Sequence, residues 1–291
     1  WLSTTTLYII SSCGASFCIK SGNFNLGGEA QIYLGGFITT LILTKMNLPA
    51  FLGLLIAFFL SAILCGTITL FSAFLKQYKN ASFLLTSFII SSAITPLLDG
   101  LISGPLRTTG NVISMPTIPQ KYCFSSILSP SPLNISIFIS IIISFIVGYI
   151  FYKTNFGKQL QIYGIAQEFA VYSGFNHNRL IAISSFFSGA LHGITGTFAV
   201  CGIYFTCYTD FYIGLGWSAL SVAMIAKANP FLIIPSSLFM SFLIVAANKV
   251  SIYSNMNFDI SSLIQGLVIF CVSIPFFSNI SIKTNKITKK G

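Results

Sequence analysis

Negative charge is almost absent from this chain. Its 291 residues include five Asp and Glu against fifteen Lys and Arg, and all charged residues together make up 7%. A soluble domain carries roughly 25%, so a water-facing surface cannot be built from this supply. Hydrophobic residues make up 54%, spread along the whole length, and the mean hydropathy is +0.86. The composition excludes a soluble fold and predicts a single transmembrane domain over 1–291.

The groups that carry chemistry are also scarce. There are two His residues, and the sequence shows no Ser/His/Asp set, paired carboxylates, metal-ligand spacing or phosphate-binding glycine loop. Nothing here is equipped to hydrolyse ATP, so no cofactor or metal is expected in this chain. The seven cysteines are an odd number. Cys13, Cys18, Cys65, Cys201 and Cys271 lie inside apolar runs and read as buried small hydrophobes. Cys123 and Cys207 fall in loops, where the sequence permits a bridge without specifying one. The net charge of +10 does not point to nucleic acid. The basic residues stand singly at the ends of apolar runs, or in the C-terminal cluster Lys283, Lys286, Lys289 and Lys290, and form no basic face.

What is present is a series of apolar runs. A membrane-crossing helix needs about 20 mostly apolar residues. Nine candidate segments lie near 4–19, 30–45, 49–75, 83–104, 133–152, 180–204, 214–227, 230–248 and 260–277. The expected architecture is an all-α, polytopic transmembrane helix bundle. Segment 214–227 is short for a full crossing and is expected to be broken or re-entrant, which is tolerated only where protein or a watery cavity covers the loose backbone.

Charge orients the series. With the C-terminus and its basic tail 281–291 in the cytoplasm, inside segments hold Lys20, Lys76, Lys79, Lys153, Lys158, Arg179, Lys227 and the four tail lysines. Outside segments hold Lys45, Arg107, Lys121 and Lys249. Eleven against four agrees with the enrichment of Lys and Arg on the cytoplasmic side. This parity leaves Trp1 outside and predicts a tenth helix preceding it. Loop 104–132 is then external, and 153–179 is the longest cytoplasmic loop.

Three polar stretches stand out. Gly22-Asn23-Phe24-Asn25-Leu26-Gly27-Gly28-Glu29-Ala30-Gln31 lies between two apolar runs. An ionisable residue at membrane depth is a functional candidate by default. One reading is therefore a broken helix offering Asn25, Gly27, Gly28, Glu29 and Gln31 to a solute; an ordinary cytoplasmic loop with Glu29 in water fits equally. In loop 153–179, Gly164 and Gly174 punctuate a stretch that can form a short helix with Ala166, Phe169 and Ala170 on one side and Glu168 within it. A docking helix and a plain connector both fit, and the length of the loop favours the former. Gly214-Leu215-Gly216-Trp217 opens a helix rich in small residues. It either presents a helix N-terminus to a solute or anchors Trp217 at the interface. Of the single residues, Asp99 reads as a turn near the outer interface and His177 as a solvated loop residue. His192 reads as a core histidine or a path-lining one.

Taken together, these stretches resemble the inner-membrane permeases of bacterial ATP-binding-cassette importers, in the branch serving simple sugars, nucleosides and branched-chain amino acids. The resemblance rests on Asn25-Leu26-Gly27-Gly28-Glu29-Ala30-Gln31, on Thr154-Asn155-Phe156-Gly157 and on Gly164 with Ala170 to Gly174. It continues through Ser188-Gly189-Ala190-Leu191-His192-Gly193 to Gly196, then Gly214-Leu215-Gly216 and Asn229-Pro230, all in the family's order. Ala30 replaces a family glycine, and Gln167-Glu168-Phe169 departs from the usual coupling loop.

The resemblance implies a multi-pass protein of the bacterial inner membrane whose partners are an ATPase subunit, a second permease chain and an extracytoplasmic substrate-binding lipoprotein. The partner ATPase would bind ATP and Mg. A solute path would run past Asn25, Gly27, Gly28, Glu29, Gln31, Gly214 and Gly216, and ATPase coupling would fall to Gly164, Glu168, Phe169, Ala170 and Gly174. Gly104-Pro105-Leu106-Arg107 with Pro116 and Pro119 is most similar to the nucleoside members. Riboflavin, sugar and branched-chain amino acid importers are the neighbouring expectations, and an ion-coupled transporter is the rival from another class.

Overall fold

The computed structural model describes residues 1–127, 131–254 and 260–272. Among them every regular element is helical, and pairing of extended chain is limited to the isolated bridges Ser114–Tyr208 and Ser126–Asn134. The helices are α1 Leu2–Lys20, α2 Gly28–Lys45, α3 Ala50–Lys79, α4 Phe83–Ser103 and α5 Ser136–Lys153. They are followed by α6 Asn155–Ile165, α7 Gln167–Tyr172, α8 His177–Ala199, α9 Leu215–Ile225, α10 Pro230–Tyr253 and α11 Ile260–Val272. Each of the nine expected segments overlaps one of these helices, with ends that differ by up to five residues where both are described. The basic tail 281–291 lies outside the described residues.

Six of the helices are long and apolar enough to cross a membrane: α1, α3, α4, α5, α10, and α8 with the π-helical turn Val200–Tyr204 that extends it. Large apolar side chains such as Phe51, Phe59, Phe71, Phe138 and Phe145 stand exposed on the outside. Serines and threonines such as Ser11, Thr39, Ser61, Thr69 and Ser188 are buried inside. This inversion of the soluble pattern is what lipid as solvent selects. Helices gain nothing by hiding apolar surface from lipid and associate instead through close packing and hydrogen bonds. The chain is a multi-pass membrane protein.

Helix α8 is the hub, packing on α1, α2 and α3. Small residues permit it. A Cβ at Gly193 would lie 2.6 Å from the Ser61 carbonyl oxygen of α3, and one at Gly35 of α2 would lie 2.2 Å from the Gly193 carbonyl oxygen. The three backbones therefore touch, and Thr39 Oγ1 ties them by donating to Thr197 Oγ1 at 2.9 Å while lying 3.3 Å from Ser61 Oγ.

The two ends of the bundle differ. At one end the Lys20 carbonyl oxygen of α1 lies against Gly164 of α6, and Gln77 of α3 donates to the Asn178 carbonyl beside the start of α8. Lys20, Lys76, Lys79, Lys153, Lys158, Arg179 and Lys227 belong to helix termini and turns of this end. At the other end, loop 104–132 folds over the exit of α8. Met115, Ile118 and Phe124 donate their N–H groups to the carbonyls of Cys207, Phe205 and Cys201, while Thr209 donates to Ile113. That loop carries the short 3-10 turn Gln120–Tyr122. Cys123 and Cys207 are both free thiols.

Asp99 is not in a turn. It lies within the last turns of α4, accepting from the hydroxyl of Tyr33 at 2.6 Å. The Asp-Gly pair that suggests a turn in the sequence is carried inside the helix, because the chain does not reverse until Gly104. His177 is an exposed residue opening α8, which Asn176 caps by accepting from the Arg179 N–H.

Candidate functional site

Two crossings of the bundle are incomplete helices, and they meet. At about 1.5 Å per residue, the 11-residue α9 spans roughly 16 Å, half of the ~30 Å hydrocarbon core. Its partners show which half. Ser12 of α1 donates to the Ala219 carbonyl of α9 at 2.9 Å, and Ala15 packs with Leu220 and Ala223. Since α1 runs from Leu2 toward the α6 end, α9 starts at mid-depth and descends to that end. The half of this crossing away from the α6 end is non-helical chain, paired with loop 104–132 through Met115, Ile118 and Thr209.

Helix α2 also begins inside the bundle. The chain leaves α1 at Lys20, turns at Gly22 with φ +72°, and climbs as irregular backbone until Gly28. Asn25 holds this climb. Its side chain accepts from the Gly27 N–H at 2.9 Å, pairs with the Gln31 amide and donates to Ser188 Oγ of α8 at 3.0 Å. Ser87 of α4 accepts the Leu26 N–H at 3.1 Å. The two amides, Asn25 and Gln31, are thus spent on each other and on the backbone.

At the meeting point the N-termini of α2 and α9 touch. A Cβ at Gly216 would lie 2.5 Å from the Glu29 nitrogen, so only glycine allows this approach. Gly28 lies on the opposite side of the contact, beside Gly216 and His192. No side chain of α9 itself caps its N-terminus. Glu29 does so from α2, its Oε1 accepting from the Gly214 N–H at 2.8 Å. A carboxylate at a helix N-terminus satisfies orphan donors and meets the positive end of the dipole. Gln265 of α11 completes the joint, donating to the Gly214 carbonyl and to Ser218 Oγ, each at 2.9 Å.

One side of this joint is open. A cavity of about 230 Å³ is lined by Glu29, Tyr212, Trp217 and the α4 residues Ser91, Ser92 and Thr95. Tyr212 stacks on Tyr33, with ring centroids 4.5 Å apart and planes 29° apart. Pro96 interrupts the α4 backbone ladder at the same level.

The expected path residues therefore divide. Glu29 lines the cavity, Gly27, Gly28, Gly214 and Gly216 shape the joint beside it, and Asn25 and Gln31 brace it from behind. Trp217 is at mid-depth against the cavity rather than at an interface. His192 is buried next to Gly28, with Nδ1 2.7 Å from Ser11 Oγ. Tyr33, Asp99, Tyr212 and Gln265 were not singled out for this site from sequence. Gln265 alone carried a signal, as a lone amide in an apolar run.

The five coupling candidates divide as well. Phe169 and Glu168 face outward and Gly174 is an exposed left-handed turn, φ +80°. Gly164 lies inside α6, and Ala170 is fully buried in this chain. Around α7 the exposed apolar residues are Ile165, Phe169, Val171 and Tyr172, the last 91% exposed.

Comparison with known proteins agrees with this architecture. Residues 1–273 match the family of branched-chain amino acid transport system permease components, and the chain belongs to that family. It is a permease subunit of the ATP-binding-cassette importer class. A protein of Treponema pallidum named as a probable riboflavin import permease is 29% identical over 92% of this chain and 71% of its own length. A guanosine transporter permease of Bacillus subtilis is 21% identical, over 98% of this chain and 83% of the relative. A glucose transporter permease of Haloferax volcanii is 24% identical, over 92% and 74%. No solved structure matches the chain significantly.

Proposed function

We propose that this chain imports a nucleoside-type solute, as one of two permease chains driven by a partner ATPase and supplied by an extracytoplasmic binding lipoprotein. The observation that carries the reading is the joint of α2 and α9. A carboxylate and three aromatic side chains, Phe88, Tyr212 and Trp217, line a mid-depth cavity where the helical backbone is broken on two crossings. Such breaks are tolerated in membranes where they line a cavity or are buried in protein, and helix termini at mid-depth are a recurring solute-binding device. Riboflavin import is the second reading, favoured by the Treponema relative.

The end bearing α6 and α7 is the cytoplasmic one in this proposal. Among the described residues it holds Lys20, Lys76, Lys79, Lys153, Lys158, Arg179 and Lys227, seven against the four at the other end. The exposed apolar residues of α7 are the docking surface for the ATPase, since a large exposed apolar patch on a water-facing loop marks an interaction site. ATP binding then shifts a two-state equilibrium, provided the ATPase contacts the two states differently.

Membrane vesicles holding the chain with its partner subunits, loaded with ATP and stripped of proton and sodium gradients, test the reading. Radiolabelled guanosine should accumulate only with ATP. Uptake that follows a gradient and ignores ATP refutes it.

A further inference from the structure

The hydroxyl side chains of α4 are not used alike. Thr86, Ser87, Thr95 and Ser103 each donate to a carbonyl about one turn back on the same helix. That is the ordinary fate of a hydroxyl in a span, where the helix's own carbonyls are the acceptors at hand. Ser91 and Ser92 make no hydrogen bond among the described residues. Both line the cavity beside Glu29. The backbone leaves a third group unspent at the same place. Pro96 has no N–H, so the Ser92 carbonyl, four positions back, loses its helical donor. Thr95 does not replace that donor, because its Oγ1 donates to the Ser91 carbonyl at 3.1 Å. Ser92 and Pro96 line the cavity together, one turn apart on the same wall. The amides of the joint, by contrast, are committed: Asn25 to Gln31 and Ser188, and Gln265 to Gly214 and Ser218.

We propose that Ser91, Ser92 and the Ser92 carbonyl form the edge of the cavity that hydrogen-bonds the solute, and that Pro96 keeps that carbonyl free for it. Two hydroxyls that donate or accept stand beside a carbonyl that only accepts. Together they grip a solute edge on which a donor and an acceptor are neighbours. Cavity water can satisfy the same groups until a solute displaces it, at no loss where the solute reproduces the water's hydrogen bonds. Glu29 reaches the cavity from α2 with its Oε1 already holding the Gly214 N–H, so α4 supplies the uncommitted polar groups. Pro96 is a positioning residue, acting through the Ser92 carbonyl without bonding the solute itself. This inference deepens the importer reading and rests on it.

The test is uptake by membrane vesicles holding the chain with its partner subunits and ATP, with labelled guanosine and riboflavin as probes. Membrane abundance, ATPase co-purification and melting temperature in detergent are measured for every variant. Ser91→Ala and, separately, Ser92→Ala should raise KM for the accumulated probe about fivefold, the worth of one hydrogen bond. Maximal rate and melting temperature should stay at the wild-type values. Thr86→Ala, which removes a hydroxyl already spent within the helix, should leave KM unchanged. Pro96→Ala gives the Ser92 carbonyl a helical donor again, so KM should rise by a similar factor while the melting temperature holds or rises. Lactic acid in place of Pro96, introduced by nonsense suppression, carries an ester oxygen where alanine carries N–H and should return KM close to wild type. If Pro96→Ala fails to reach the membrane, the serine variants carry the test. Wild-type KM in either serine variant overturns the proposal, as does a KM rise matched by a fall in melting temperature, the mark of a packing role. A Pro96→Ala variant with reduced maximal rate and unchanged KM overturns it too, since the proline would then be a hinge. So does a lactic acid variant as impaired as Pro96→Ala, since the ring rather than the carbonyl would matter. Wild-type vesicles that accumulate neither probe, or that accumulate one without ATP, overturn the importer reading itself, and this proposal with it.

Discussion

Replacing Glu29 with alanine removes the acceptor that joins α2 to α9. One backbone donor, the Gly214 N–H, then loses its partner inside the bundle. An unsatisfied buried donor costs about 1–3 kcal/mol. The loss of a carboxylate at the α9 N-terminus adds about 0.3–1 kcal/mol. Cavity water reaching the freed donor pulls the sum toward its lower end. The same joint is held by Gln265 and by the Gly28–Gly216 contact, so α9 should loosen without leaving the bundle. Glu29→Ala should therefore lower the melting temperature of the detergent-purified protein by several degrees and cut transport at least tenfold. ATPase co-purification should be unaffected, because α7 is at the end of the bundle. Glu29→Gln keeps one carbonyl acceptor and should recover the greater part of the stability. Wild-type melting and uptake in Glu29→Ala would refute the reasoning, since they would mean that the α9 N-terminus needs no partner.

Two further outcomes follow from the ends of the bundle. In a background without native cysteines, Ser173→Cys should be shielded from an impermeant thiol reagent in intact cells while Thr109→Cys is labelled; the reverse pattern would invert the assigned orientation. Phe169→Asp and Tyr172→Asp should abolish co-purification of the ATPase while the permease stays folded, since both side chains are exposed. By contrast Ala170→Asp should lower the stability of the permease itself by several kcal/mol, because an unpaired charge would enter a fully buried position; equal melting of Ala170→Asp and wild type would contradict that distinction.

Much of the fold was legible because lipid reduces the choice to length and polarity. Nine apolar runs became nine helix-bearing segments, and the one too short to cross is indeed a partial helix. The site was legible in part. Glycine pairs and the isolated carboxylate marked where helices break, since both are costly in an ordinary span. Which polar residue faces the solute was not legible, because Asn25, Glu29 and Gln31 share one stretch and differ only in what they meet after folding. Asn25 and Gln31 find each other six positions apart, whereas Glu29 finds Gly214 at a separation of 185. Asp99 was misjudged for the same reason: its partner Tyr33 is 66 positions away. Ala170 shows the limit of helical patterning in a six-residue helix, where one face against the protein and one face outward cannot be assigned without knowing what lies beneath.

The distance between the proposed docking face and the cavity raises the question of how one affects the other. The shortest covalent route is the climb from Gly22 to Glu29, and α6 and α7 grip its foot. A Cβ at Gly22 would lie 3.1 Å from Gln167 Nε2 of α7 and 3.5 Å from the Gly164 carbonyl of α6. At its top the same stretch ends in Gly28 and Glu29, against Gly216 and Gly214 of α9. A displacement of α6 and α7 therefore pushes directly on the chain that carries the cavity carboxylate, with Asn25 and Leu26 pinned to α8 and α4 along the way. Spatial continuity alone does not demonstrate coupling, so a perturbation confined to the foot is the decisive one. Gly22 has φ +72°, where a β-branched residue is strained, and its surroundings leave no room for a branch. Gly22→Val should keep the ATPase bound, since Phe169 and Tyr172 are untouched, and should leave the cavity residues in place. It should nonetheless separate ATP hydrolysis from transport, with hydrolysis continuing and uptake per ATP falling at least fivefold. Unchanged uptake per ATP in Gly22→Val would show that α6 and α7 reach the cavity by another route, with α8 as the next element to test.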